Sequence, residues 1–254
     1  MDMEIKKKFE GLWEKYFNGA ELPLCFFYSN EKPKGAEMPR PAVDHRCLIG
    51  DLAKARRGKN VALNADVIGC GGGKRYLGFS SELRPDFEYF LSYGIPGKVE
   101  GERYKKTPEL VVEAMKRQPP FTAPAPYIVF KRWDRMEESD NPDVVIFFAR
   151  PDVLSGVFTL ASFDEADTNS VFSPFGAGCS TIVQYPYFEK DKESPRAVLG
   201  MLDVSARPCV PADIITFAVP MKRFVRMIDN MEESFLITDS WKKVRRRISA
   251  SDSR

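Results

Sequence analysis

Apolar residues open this chain at helical spacing. Ile5, Phe9, Leu12, Trp13 and Tyr16 share one face, with Lys6, Lys7, Glu10 and Glu14 between them, so the pattern predicts an amphipathic helix over 3–17 that Gly19 ends. The aromatic run at 22–28 reads as a strand, with Cys25 packed inside it. Asp44 has the chemistry of an N-cap for a helix through Arg57, carrying Cys47, Leu48, Leu52 and Ala55 on one face. A short strand at 61–63 follows, then a glycine-rich loop, a helical stretch over 85–93, and a helix starting at Thr107-Pro108-Glu109 and running to Arg117. Beyond that, 127–133 reads as extended and 144–149 as a buried strand. Pro151 opens a helix bearing Val153, Leu154, Val157, Phe158 and Ala161. The stretch at 170–172 is short and apolar, and 198–202 and 214–219 read as strands. Pro220 opens a helix with Met221, Phe224, Val225, Ile228 and Met231, and Thr238-Asp239 starts a last, basic one.

Strands alternating with helices predict an α/β or α+β protein with mixed sheets. A chain of 254 residues can bury a sizeable core as a single domain. The four prolines within 119–126 divide it into two βα-rich lobes, 1–118 and 127–240, followed by a basic tail at 241–254 that reads as exposed. The order of elements repeats: strand, helix, short apolar stretch, then Gly69-Cys70 in the first half and Gly178-Cys179 in the second. Either this is an internal pseudo-repeat or it is the chance alternation common in α/β proteins. If it is a repeat, Cys70 and Cys179 border one cleft.

Charge and hydropathy exclude several classes. Lys and Arg total 38 against 36 Asp and Glu, a net charge of +2, which provides no global field for nucleic acid or an anionic membrane. The longest apolar runs fall far short of the roughly 20 residues of a spanning helix, and the N-terminus has Glu and Lys where a signal peptide would be apolar. The expected location is the cytoplasm. The five cysteines, at 25, 47, 70, 179 and 209, have no close spacing, so no disulfide framework or zinc ribbon is written locally. A lone histidine, His45, leaves little scope for His-based metal sites. The Lys/Arg run at 242–247 lacks an aromatic platform for nucleic acid.

The densest chemistry lies in Gly69-Cys70-Gly71-Gly72-Gly73-Lys74-Arg75. Three readings compete for it. Gly71 to Gly73, Lys74 and Arg75, joined by Arg196, could cradle an anionic small molecule on backbone amides. Cys47, Cys70 and Cys179, each beside a helix start or a cation, could be thiolates that hold an iron–sulfur cluster or another metal, with His45 or a further residue as fourth ligand. Cys70 alone could serve a thiol-dependent redox or transfer reaction. Against all three stands a tight turn in an oligomeric scaffold whose cysteines only pack. Cys25 and Cys209, mid-strand and between prolines, read as structural.

The chain carries Cys47 on its helix, Cys70-Gly-Gly with Leu77-Gly78 after it, Pro142-Asp143-Val-Val-Ile-Phe147 with Pro151, Gly178-Cys179, Pro195-Arg196 with Leu199-Gly200 and Asp203, and Pro220 leading to Arg223 and Met227. By these residues the chain resembles the domain-of-unknown-function 169 family of prokaryotic proteins over roughly residues 5–237. The resemblance implies no reaction, substrate or cofactor.

Overall fold

The computed structural model describes residues 1–251. Seven strands form one mixed sheet: β1 (Leu24–Ser29), β2 (Val61–Leu63), β3 (Tyr127–Arg132), β4 (Val144–Ala149), β5 (Val171–Phe172), β6 (Ala197–Gly200) and β7 (Ile215–Pro220). Their spatial order is β2-β3-β1-β4-β7-β6-β5, and every pairing is antiparallel except the parallel β5–β6 edge. The sheet is continuous across both halves of the chain, with β3 inserted between β2 and β1. The mixed α/β class follows the sequence pattern.

Alternation along each strand sorts residues to two buried faces. Cys25, Phe27, Val129, Val145, Phe147, Phe217 and Val219 point to the first. There they meet α1 (Met3–Phe17), α6 (Pro151–Ala161), α8 (Met221–Asn230) and α9 (Asp239–Ser251). This face is unusually aromatic: Phe9 contacts Trp13, Trp133 and Phe224 with ring centroids 4.9–5.3 Å apart. Leu24, Phe26, Phe130, Val144, Ile146 and Ala218 point to the second face, covered by α2 (Leu48–Arg56), α3 (Gly71–Tyr76), a π-helical turn (Ser180–Gln184) and α7 (Tyr185–Glu189). Two further helices, α4 (Phe87–Phe90) and α5 (Pro108–Arg117), lie beyond α3, and Thr107 caps α5 by accepting from the Leu110 amide.

Four local expectations are corrected. The second helix starts at Leu48 with Cys47 as its N-cap residue, so 44–46 precede it and Asp44 does not cap it. The glycine loop is the first turn of α3: Cys70 is the N-cap and its sulfur accepts a 3.2 Å hydrogen bond from the Gly73 amide. The proline-rich stretch is packed instead of acting as a spacer, because Phe121 contacts Tyr28, Tyr187 and Phe188, and Ala123 N donates to Gly78 O at 2.8 Å. The basic segment is not an exposed tail. Its start is docked as α9, where Trp241 is buried, rings against Phe17 and Phe235, and donates its indole N–H to Tyr16 O at 3.0 Å. Residues 252–254 of that expectation lie outside the described ones.

The hydrogen-bonded order β2-β3-β1 followed by β4-β7-β6 has the look of a duplication, yet α2 packs on the second face and α6 on the first. The two strand–helix units are therefore not placed as symmetric partners.

Candidate functional site

On the second face, α3, the π-helical turn and the segments flanking α2, α4, α5 and β6 leave a cavity of about 540 Å³. Its wall is mainly apolar and aromatic, with Leu48, Ile49, Tyr76, Phe87, Phe90, Met115, Phe175 and Val204 among the contributors. Both Gly-Cys segments reach it: Cys70, Gly72 and Gly73 on one side, Gly176 to Cys179 on the other, with Cys47 and His45 between them and α2. The expectation that Cys70 and Cys179 border one cleft therefore holds, although the repeat that motivated it is not mirrored in the helix packing.

The glycines do not form the open cradle of amides. None of Gly71 to Gly73 has positive φ. Gly73 is glycine for space, since a Cβ there would stand 2.8 Å from Cys70 Sγ and 2.9 Å from Ile68 Cγ2. The glycine that needs its freedom is Gly78, at φ +80°, whose Cβ would fall 2.3 Å from Ala123 N. It ends α3 and lets the 121–126 segment cross over it.

The expected cations are not in the wall either. Arg75 Nη1 donates to Ser81 O at 2.7 Å, and neither it nor Lys74 lines the cavity. Arg196 pairs with Glu189 at 2.9 Å and lies over the Phe172 ring at 4.2 Å, away from the cavity. Beside His45 and Asp203, the polar groups that line it are mostly ones the sequence did not single out, among them Glu102, Tyr104, Lys105, Gln118, Tyr185 and Ser205. Lys105 Nζ sits 4.4 Å from the centre of the Phe175 ring. Gln118 Nε2 donates to Tyr185 Oη at 3.2 Å, while Gln118 Oε1 is buried with no hydrogen-bond partner. Asp203 carried an advance signal through the family resemblance, as His45 did as the lone histidine. Glu102, Tyr104, Lys105 and Ser205 sit in loops, Gln118 ends α5 and Tyr185 opens the short α7, none of which carries a period to read.

Burial decides the state of the sulfurs. Desolvation is the largest influence on Cys47, Cys70 and Cys179, and it pushes all three thiols above the ordinary range, outweighing the nearby amides. Cys47 also raises Cys70 electrostatically, and both raise Cys179. This reverses the expected lowering by helix starts and cations: Cys179 is buried, and Lys74 and Arg75 turn away. Among the described residues no group of three or more His, Cys, Asp or Glu side chains is placed to hold a metal ion. Cys25 is on the opposite face, buried in β1, as its mid-strand position predicts. Cys209 is half-buried and packs against the core of the second face.

Comparison with known proteins adds a family. The family described as DUF169, uncharacterised ArCR, matches residues 14–230. No curated protein and no solved structure matches the chain. No helix among the described residues is long and apolar enough to cross a membrane.

Proposed function

Since the chain belongs to the domain-of-unknown-function 169 family, whose description assigns no reaction, we propose from the geometry that it is a cytoplasmic small-molecule-binding protein. The observation that carries the reading is the cavity of about 540 Å³ walled by both Gly-Cys segments. That volume lies within the roughly 300–1,000 Å³ of ordinary ligand sites. Its aromatic wall suits an apolar body, and the few polar groups give direction. Lys105 suits an anionic end, and Gln118 Oε1 suits a hydroxyl or amide donor. The thiol-transfer reading centred on Cys70 has less support, because burial holds the lining sulfurs in the neutral form that neither attacks nor ligates well.

The test uses an apolar anion, anilinonaphthalene sulfonate, as a fluorescent probe, together with mass analysis of small molecules released from the purified full chain. Ala114→Trp, placed on α5 where Ala114 lines the cavity, fills it without touching the sheet. Saturable probe binding by the parent that falls at least tenfold in the folded variant is the expected result. Equal binding by both would mean that the cavity is not the site.

A further inference from the structure

We infer that the cavity takes a hydroxylated aromatic carboxylate, its carboxylate held at the mouth by Lys105 and its hydroxyl turned inward to Tyr76. The inference deepens the small-molecule reading and rests on it. Exposure gives the cavity two ends. Phe175, Leu202 and Val204 line it while 63%, 60% and 70% exposed, so they form the rim. Leu48, Tyr76 and Cys179 line it while buried, so they form the inner end.

Lys105 belongs to the rim, because its Nζ stands 4.4 Å from the centre of the Phe175 ring. It makes no ion pair with a described residue, so its donors are free for an anion. The other charged groups of the wall are less open. Arg117 is paired with Glu113 on the same helix, and Asp203 accepts from the Gly178 and Ser205 amides. Glu102 lines the wall as well. One free cation near two carboxylates suits a single negative charge, a carboxylate, better than a doubly charged phosphate.

The body of the ligand is read from the rings. Six Phe and Tyr side chains line the cavity. Phe87 and Phe90 pair at 6.3 Å and Tyr104 and Phe175 at 6.4 Å, whereas Tyr76 pairs with no other described ring. Met115 adds a thioether, which favours contact with an aromatic ring. A rigid planar body gains ring contacts from such a wall and loses less freedom on binding than an alkyl chain. The inner end carries polar groups without partners. Tyr76 is 8% exposed, and its hydroxyl makes no hydrogen bond to a described residue. Tyr185 Oη accepts from Gln118 Nε2 at 3.2 Å and keeps its own proton to donate, while Gln118 Oε1 is unpaired. The Gly176 backbone backs the Tyr185 ring, since a Cβ there would stand 3.3 Å from Cε2. Phenol donors beside an amide acceptor match a ligand hydroxyl, which both accepts and donates and relieves the cost of buried unpaired groups.

Calorimetric titration of the full chain with four probes tests this. They are 6-hydroxy-2-naphthoate, 2-naphthoate without the hydroxyl, 2-naphthol without the carboxylate, and decanoate, whose carboxylate ends an alkyl chain. The hydroxynaphthoate should bind at least about tenfold more tightly than each of the others. Lys105→Met should remove most of its advantage over 2-naphthol, and Tyr76→Phe should reduce its advantage over 2-naphthoate. Any of the other three binding the parent as tightly would overturn the inference, and so would unchanged ratios in both variants. The small-molecule reading survives that result if anilinonaphthalene sulfonate still binds the parent and not Ala114→Trp. If neither the four probes nor the sulfonate binds, both readings fall. The ranking in the parent decides the matter even where a variant does not fold.

Discussion

The Gly178 amide donates to Asp203 Oδ2 at 3.1 Å, which ties the turn before Cys179 to the turn after β6. The other carboxylate oxygen accepts from the Ser205 amide at 3.1 Å and from its hydroxyl at 2.9 Å. Between these turns Met201 sits at φ 65°, a left-handed conformation that costs a non-glycine residue. Its sulfur would stand 2.9 Å from a Cβ at Gly178. Asp203 is therefore the clamp on a strained wall of the cavity.

Replacing Asp203 by Ala should strand the part-buried Gly178 amide, while the exposed Ser205 amide turns to water, with a loss of about 1–3 kcal/mol. Asp203→Asn keeps an acceptor oxygen and should lose less. Urea unfolding measures both, and probe affinity should weaken in the same order. An Ala variant as stable as the parent would remove the clamp.

Cys70 caps α3 through its sulfur, a weak acceptor for that position. Serine is a stronger N-cap, so Cys70→Ser should be at least as stable as the parent. Cys70→Ala should lose about 1 kcal/mol. Thermal unfolding of the three proteins distinguishes a cap from a side chain held only for its volume, for which Ala and Ser would behave alike.

How much of this was readable in the sequence depends on which signal each residue carried. Periodicity located β1, β4, α1, α6 and α8, because each has an apolar face or run long enough to repeat. The convergence of Cys70 and Cys179 was legible through their matching Gly-Cys pairs. The helix at Gly71–Tyr76 was not, because three glycines read as a loop wherever no burial is known, and only Cys70 capping and the packing of Gly73 against Leu48 and Ile68 fix it. Lys105, Gln118 and Tyr185 reach the cavity by tertiary packing of loops and short helices, which leaves no period to detect. The thiol shifts were misjudged for a related reason: dipoles and cations can be read locally, but burial cannot.

The glycines of α3 should separate by substitution. Gly71 meets nothing within 4 Å at a built Cβ and has ordinary helical φ, so Gly71→Ala should stabilise by roughly 0.5–1 kcal/mol through lower unfolded-state entropy. Gly78→Ala forces a side chain onto the Ala123 backbone at positive φ and should cost well over 1 kcal/mol. Opposite shifts in denaturant unfolding are expected, the loss at Gly78 being the larger. A large loss at Gly71 would restore a role for that residue beyond the helix turn.

Lys131 is almost fully buried in β3 on the first face, 2.8 Å from Asp140 and 2.9 Å from Glu137. Asp140 is itself buried and also accepts the Glu137 amide at 2.7 Å. Lys131→Met should cost about 3–5 kcal/mol, since it leaves an uncompensated buried carboxylate. Adding Asp140→Asn should recover part of that loss, and urea unfolding of the single and double variants gives the coupling. Additive losses would show that the pair does not act together.

Burial pushes the Tyr76 phenol up to about 12, from an ordinary value near 10. With the folded-state pKa raised, the unfolded chain ionises first, so the stabilising effect is complete below about pH 10 and is lost as pH rises through about 12. The half-buried thiol of Cys70 and the buried thiol of Cys179 are raised too and act in the same direction, starting lower, near the ordinary thiol range. Parent stability should therefore decline on going from neutral to strongly alkaline pH. Tyr76→Phe cannot ionise in either state and should show a shallower decline between about pH 10 and 12, by on the order of 2 kcal/mol. Urea unfolding of both proteins at a series of pH values checks this. Parallel curves would mean that Tyr76 is more hydrated than its place in the cavity wall implies.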